Sequence, residues 1–128
     1  MNEINKKDNF DLEDRTAKFG ENIIKMCKTL KVDVVNRPII SQIVRSGTSV
    51  GANYCEANGA SSKKDFKNKI HICKKEAQET KHWLRMIVTS NPEKKQEAQK
   101  LWQECQELTL IFGKILSSLK NSKLNQNS

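Results

Sequence analysis

Four stretches of this chain carry apolar residues at alternating steps of three and four, and that spacing restricts the fold more than any other feature of the sequence. The first runs Leu12, Thr16, Phe19, Ile23, Met26, Leu30; the second Ile40, Ile43, Gly47, Val50, Tyr54, Ala57. The third runs Phe66, Ile70, Cys73, Ala77, Thr80, Leu84, Ile87, and the fourth Leu101, Cys105, Leu108, Phe112, Ile115, Leu119. A mean step of about 3.5 residues places each set on one face of a helix and predicts near-parallel, left-handed packing at crossings of about 20°. Breakers separate the four. Asn36-Arg-Pro38 opens the second helix with Asn36 as N-cap, Asn58-Gly59 closes it through a left-handed cap, and Ser62-Lys-Lys-Asp65 caps the third. Asn91 caps the fourth, with Pro92 at its first position. Such short connections make consecutive helices antiparallel neighbours. The expected fold is all-α: a single up-down-up-down antiparallel four-helix bundle over residues 10–120, with flexible polar ends at 1–9 and 121–128.

Within the second helix, residues 45–57 are unusual helix material. Gly47 and Gly51 each cost roughly 1 kcal/mol against Ala, and Ser46, Thr48, Ser49 and Asn53 compete for backbone hydrogen bonds. Close approach to a neighbouring helix would offset that cost. Arg45 beside these small residues needs a carboxylate, and antiparallel pairing about the turn near residue 60 brings it to Glu76 or Glu79. The same register sets Glu56 near Lys63 and Lys64, and Asn53 beside Lys67. Arg45, Asn53, Glu56, Glu76 and Glu79 are thus expected to form a structural polar network.

The net charge of +8 is concentrated. Residues 61–91 hold eight Lys and Arg against three Asp and Glu, whereas residues 1–36 are neutral. On the third helix Lys64, Lys67, Lys74, Lys81 and Arg85 line one shoulder of the apolar seam, with His71 and Gln78 between them. A strip of this kind can follow nucleic-acid phosphates. No aromatic residues interleave with the lysines, so nothing here is expected to read bases. The opposite shoulder adds Ile72, Trp83 and Met86 to the core seam, and the fourth helix adds Trp102, Leu110, Ile111 and Leu116. That is more apolar surface than one seam requires, so Ile72, Trp83, Met86 and Trp102 are expected at a homo-oligomer interface.

Little points to catalysis. His71 and His82 stand about 16 Å apart along one helix, too far to share a metal. Ser46, Thr48 and Ser49 have no oriented His and acid, and the glycines follow no strand. Cys27, Cys55, Cys73 and Cys105 lack ligand spacing and are expected to be reduced cysteines of the core. No cofactor or metal is expected, and neither a signal-peptide core nor a run of about 18 apolar residues is present, so a soluble cytoplasmic protein without membrane contact is expected.

Asp11-Leu-Glu-Asp-Arg-Thr-Ala-Lys-Phe19, Gln42-Ile-Val-Arg-Ser-Gly-Thr-Ser-Val-Gly-Ala-Asn-Tyr54, Glu56-Ala57, Ser61-Ser-Lys-Lys-Asp-Phe66, Lys75-Glu-Ala-Gln-Glu-Thr80 and Trp83-Leu84 give the chain a wider likeness. Together they resemble the bacterial four-helix-bundle proteins of 23S rRNA intervening sequences. The resemblance implies a ring-like homopentamer and kinship with the accessory protein of diversity-generating retroelements, which associates with a reverse transcriptase and nucleic acid. It also implies that Arg45, Asn53, Glu56, Glu76 and Glu79 belong to polar signatures of the family, and that a basic residue would stand where this chain has Cys55. The expected function is a non-catalytic, homo-oligomeric basic bundle binding RNA or DNA backbone, as an accessory to an enzyme such as a reverse transcriptase. The alternative is a protein-interaction scaffold with no nucleic-acid role.

Overall fold

A computed structural model of the chain describes residues 3–127, with side chains over 12–121. Helices α1 (Glu3–Cys27), α2 (Asn36–Asn58), α3 (Lys63–Ser90) and α4 (Lys95–Asn127) follow in order, with a 3-10 turn at Pro92–Lys94 before α4. The loose ends expected over 1–9 and 121–128 fall, Asn121 apart, outside the residues whose side chains are described.

Pairs across each contact give the topology. Between α1 and α2, Glu13 meets Cys55 and Ile23 meets Gly47. Between α2 and α3, Arg45 meets Glu79 and Glu56 meets Lys69. Residue numbers rise on one helix as they fall on the other, which makes these pairs antiparallel. Ala77 with Cys105, and Lys81 with Gln106, put α4 beside α3, and Arg15 with Glu104 returns α4 to α1. The fold is all-α and consistent with a four-helix bundle. Its core is the four seams: Phe19, Ile23, Met26, Ile43, Val50, Tyr54, Ile70, Cys73, Leu84, Ile87, Cys105, Leu108 and Phe112 are each at most 1% exposed.

The small residues of α2 meet α1. A Cβ on Gly47 would come within 3.0–3.3 Å of three Ile23 side-chain atoms, and one on Gly51 would stand 3.2 Å from the Thr16 carbonyl oxygen. Gly20 returns the favour from α1, its Cβ direction ending 3.4 Å from the Thr48 Cα. The helix-propensity cost of Gly47 and Gly51 is therefore offset by near backbone-to-backbone packing. The hydroxyls close locally: Thr48 donates to the Val44 carbonyl at 2.7 Å and Ser49 to the Arg45 carbonyl at 2.6 Å.

Three punctuation marks work differently from their local reading. Asn36 does not cap α2. The Asp33 carboxylate accepts from the N–H groups of Val35 and Asn36 at 3.0 and 2.7 Å, and so performs that role. Asn36 is instead buried, as is Asn91. Its amide nitrogen donates to the Lys31 carbonyl (2.8 Å) and to Asn91 Oδ1 (3.0 Å), while its Oδ1 accepts from Ser90 Oγ (2.6 Å) and Asn91 Nδ2 (3.0 Å). Asn91 ends α3, its side chain also donating to the Ile87 carbonyl, and makes no side-chain cap for the 3-10 turn. Gly59 closes α2 at φ −96°, with no left-handed residue needed, because its N–H already reaches the Cys55 and Glu56 carbonyls. The cap at Ser62 is as the spacing predicts, with Ser62 Oγ accepting from the Asp65 N–H at 3.0 Å. Helix α1 stops at Cys27, one turn before the end of its seam, where the Thr29 hydroxyl captures the Met26 carbonyl at 2.6 Å. Leu30 still reaches the core from the turn, 6% exposed.

Candidate nucleic-acid interface

Helix α3 touches α2 with one shoulder and α4 with the other, and its charges are sorted between them. On the α2 side Arg45 bridges Glu76 (Nη1 to Oε2, 3.2 Å) and Glu79. Glu76 is buried at 8% exposure, and that guanidinium is its ion-pair partner. Burial pushes the Glu79 carboxyl up, but the Arg45 hydrogen bond, Glu76 and the Arg45 charge together hold it below its ordinary value. Arg45 is in turn raised, first by its hydrogen bond to Glu79. The Trp83 indole N–H, buried without a hydrogen bond of good geometry, lies close enough to Glu79 to help keep that carboxylate charged. Below this cluster the Thr80 hydroxyl donates to the Glu76 carbonyl (2.8 Å) and pairs with Ser46 Oγ (2.9 Å).

Two members of the expected polar network sit elsewhere. Glu56 meets Lys69 at 2.7 Å rather than Lys63 or Lys64, because the helices pair about a point roughly half a turn further along than the middle of the connection. Asn53 donates instead to the Ser49 carbonyl on its own helix at 2.8 Å, its side chain being short enough to bond the preceding turn.

The α4 side carries the lysines. Lys64, Lys67 and Arg85 are exposed and Lys74 is half-buried; among the described residues none of the four makes an ion pair. Lys81 differs from them. Its ammonium donates to Gln106 Oε1 at 2.6 Å and lies 5.1 Å from the centre of the Trp102 ring. The structure therefore separates residues that the apolar count grouped together. Trp83 lies beside Glu79 and packs edge-on to His82 at 4.9 Å, whereas Trp102 sits on the lysine side, 41% exposed. Ile72 and Met86 are half-buried on the shoulder of Trp83. An aromatic thus does stand among the lysines, supplied by α4. Lys81 and Trp102 lie ten residues to either side of the Asn91-Pro92 break, so the reflection that pairs Arg45 with Glu79 would have paired them too.

The thiols are chemically quiet. Burial pushes Cys27 up to about 11 and Cys73 and Cys105 each to about 12. The latter two donate to the Val50 and Ala77 carbonyls. Cys55 is exposed rather than in the core, with its thiol 3.5 Å from a Glu13 carboxylate oxygen. That carboxylate disfavours an anion at the position where the family resemblance implies a basic residue.

Among the described residues no helix is long and apolar enough to cross a membrane. No curated protein matches the sequence. Among solved structures the chain is similar to a protein of unknown function from the S23 ribosomal protein family of Bacteroides thetaiotaomicron, with 31% identity and a TM-score of 0.71, covering 82% of this chain and 97% of that one. Residues 8–114 match the model of the 23S rRNA-intervening sequence protein family, a span that takes in α2, α3 and most of α1 and α4. By that match over most of its length, the chain belongs to the 23S rRNA-intervening sequence protein family.

Proposed function

We propose that the protein is a non-catalytic, homo-oligomeric cytoplasmic bundle that binds the backbone of RNA or DNA through the α4-facing shoulder of α3, as an accessory to a nucleic-acid enzyme such as a reverse transcriptase. One observation carries the reading: Lys64, Lys67, Lys74 and Arg85 have no ion-pair partner among the described residues, while Glu76 and Glu79 on the same helix are turned to α2 and held by Arg45. Unpaired cations spaced along a helix can displace the counterions condensed on a phosphate chain. The family's name, which refers to 23S rRNA, agrees with a nucleic-acid role. Self-association is assigned to the half-buried shoulder of Ile72, Trp83 and Met86. The hydroxyls of Ser46, Thr48 and Ser49 are each bonded to a carbonyl of their own helix, which favours structural over nucleophilic roles.

The scaffold alternative has a feature of its own. Val32, Val34 and Val35, in the connection between α1 and α2, are 66, 89 and 55% exposed, more apolar surface than a loop usually leaves in water. A salt titration separates the two readings. Nucleic-acid affinity should fall with salt at close to one unit of log slope per phosphate contact, and Lys67→Glu with Lys74→Glu should abolish most of it. Salt-independent or unchanged binding in that variant favours the scaffold. Light scattering on the same sample reads the oligomer, and a monomer at micromolar concentration would remove the role given to Trp83.

A further inference from the structure

Trp102 is a large apolar side chain left in water on a polar stretch of α4. It is 41% exposed, and beside it opens a shallow groove of about 460 Å³ lined by Gln96, Gln99, Lys100, Trp102 and Gln103. Trp102 lines that groove, and Lys81, which lies over its ring, does not. The ring is held in place. Lys81 lies over it at 5.1 Å and is itself anchored by Gln106 at 2.6 Å, which fixes one side of the indole and limits its freedom to collapse onto the bundle. An indole fixed from one side and open to a cleft of amides is poorly suited to burial in a core. It suits a flat, polar-edged ring.

We infer that Trp102 and the glutamine groove hold an unpaired nucleobase, so that the surface prefers single-stranded RNA or DNA over duplex. The inference rests on the backbone-binding reading above and adds to it which form of nucleic acid is taken. The base stacks on the indole, and the amides of Gln96, Gln99 and Gln103 offer donors and acceptors to its edge. Lys100 and the neighbouring α3 cations meet the adjoining phosphates. Stacking is tolerant of sequence because every base has a π face, which agrees with a strip that reads no sequence. In a duplex the bases are already stacked on one another, and none can reach the ring without first being unstacked.

The test is fluorescence anisotropy with the full chain and 12-nucleotide strands: single-stranded RNA, single-stranded DNA, and the matching duplexes, at one salt concentration. Trp102→Leu should weaken single-strand binding about tenfold and leave duplex binding unchanged, and Trp102→Phe should restore most of the affinity. Dependence on Trp102 for RNA alone or DNA alone supports the site and names its ligand. Equal loss on single strands and duplex, or no loss at all, overturns it. If Trp102→Leu is silent while Lys67→Glu with Lys74→Glu weakens every strand, the backbone reading stands and the base site falls; if the wild-type chain binds no strand, the backbone reading itself falls. As a readout that needs no loss of binding, the tryptophan fluorescence of the wild type is compared with that of Trp102→Phe, which keeps only Trp83. Single strands should quench the wild type and not Trp102→Phe, and an unquenched wild-type signal at saturation overturns the stacking.

Discussion

The two shoulders of α3 are built to opposite ends. Toward α2 its polar groups are closed: Glu76 and Glu79 on Arg45, Thr80 on Ser46, Asn91 and Ser90 on Asn36, and Lys69 on Glu56. Toward α4 the cations are open, and only Lys81 is bound to anything described. Pairing one shoulder consumes the helix's described buried charge in holding the bundle together, and it leaves the other shoulder with a net surplus for solvent or a partner. A basic helix is therefore not uniformly available for binding; the residues that lack a local answer are the ones free to meet a phosphate.

The largest test of this contrast is at the closed shoulder's far end. Asn36→Leu keeps the branched shape but leaves Asn91 Oδ1 and the Lys31 carbonyl without their buried donor, so unfolding free energy in urea should fall by about 3 kcal/mol. A loss under about 1 kcal/mol would mean that the amide pair is incidental and the closed shoulder less cohesive than drawn.

Arg45→Met comes next. It strands Glu76, which is buried, although Arg45 itself is half-exposed and screened, so about 2 kcal/mol is expected rather than the full cost of breaking a buried pair. The acid dependence has a definite sign. Glu79 is lowered in the folded protein, so its contribution is fully present above the ordinary value of 4.5 and is lost as pH falls through the lower folded value. The gap in Tm between wild type and Arg45→Met should therefore narrow below pH 4.5. A gap constant down to pH 2.5 would sink the account.

The smallest effect compares two glycines in opposite surroundings. At Gly51, between α2 and α1, an added Cβ stands 3.2 Å from backbone, so Gly51→Ala should lose about 1 kcal/mol despite its better helix propensity. At Gly113, on the α4 flank that carries Trp102 and Gln106, nothing lies within 4 Å, and Gly113→Ala should gain about 0.5–1 kcal/mol. Equal effects at the two positions, read by urea denaturation, would show that the packing difference has no energetic weight.

Much of the fold is legible because it is written in short-range spacing. The 3-4 steps through Phe19, Ile43, Leu84 and Leu108 place those side chains on helix faces before any neighbour is known, and the core they predict is the core observed. The Arg45 pairing is legible as well, since a charged residue among small ones has few ways to be satisfied. Misreadings arose where one residue had two plausible partners. Asn36 and Asn91 both fit local cap rules, but they lie 55 residues apart and bond each other. Asn53 had a partner in its own preceding turn, and Trp102 was counted with Trp83 although the two stand on different sides of α3.

Periodicity, helix count and the concentration of positive charge on α3 were settled by the sequence alone, because each depends on neighbours within one or two turns. The tertiary structure decided which amides pair at the bundle's end, which shoulder of α3 is closed, and that Trp102 stands beneath Lys81. Those outcomes depend on the register between helices. Displacing one helix by a single turn against another keeps every seam apolar while changing every polar partner, so local spacing cannot choose among them and side-chain packing across the contact does.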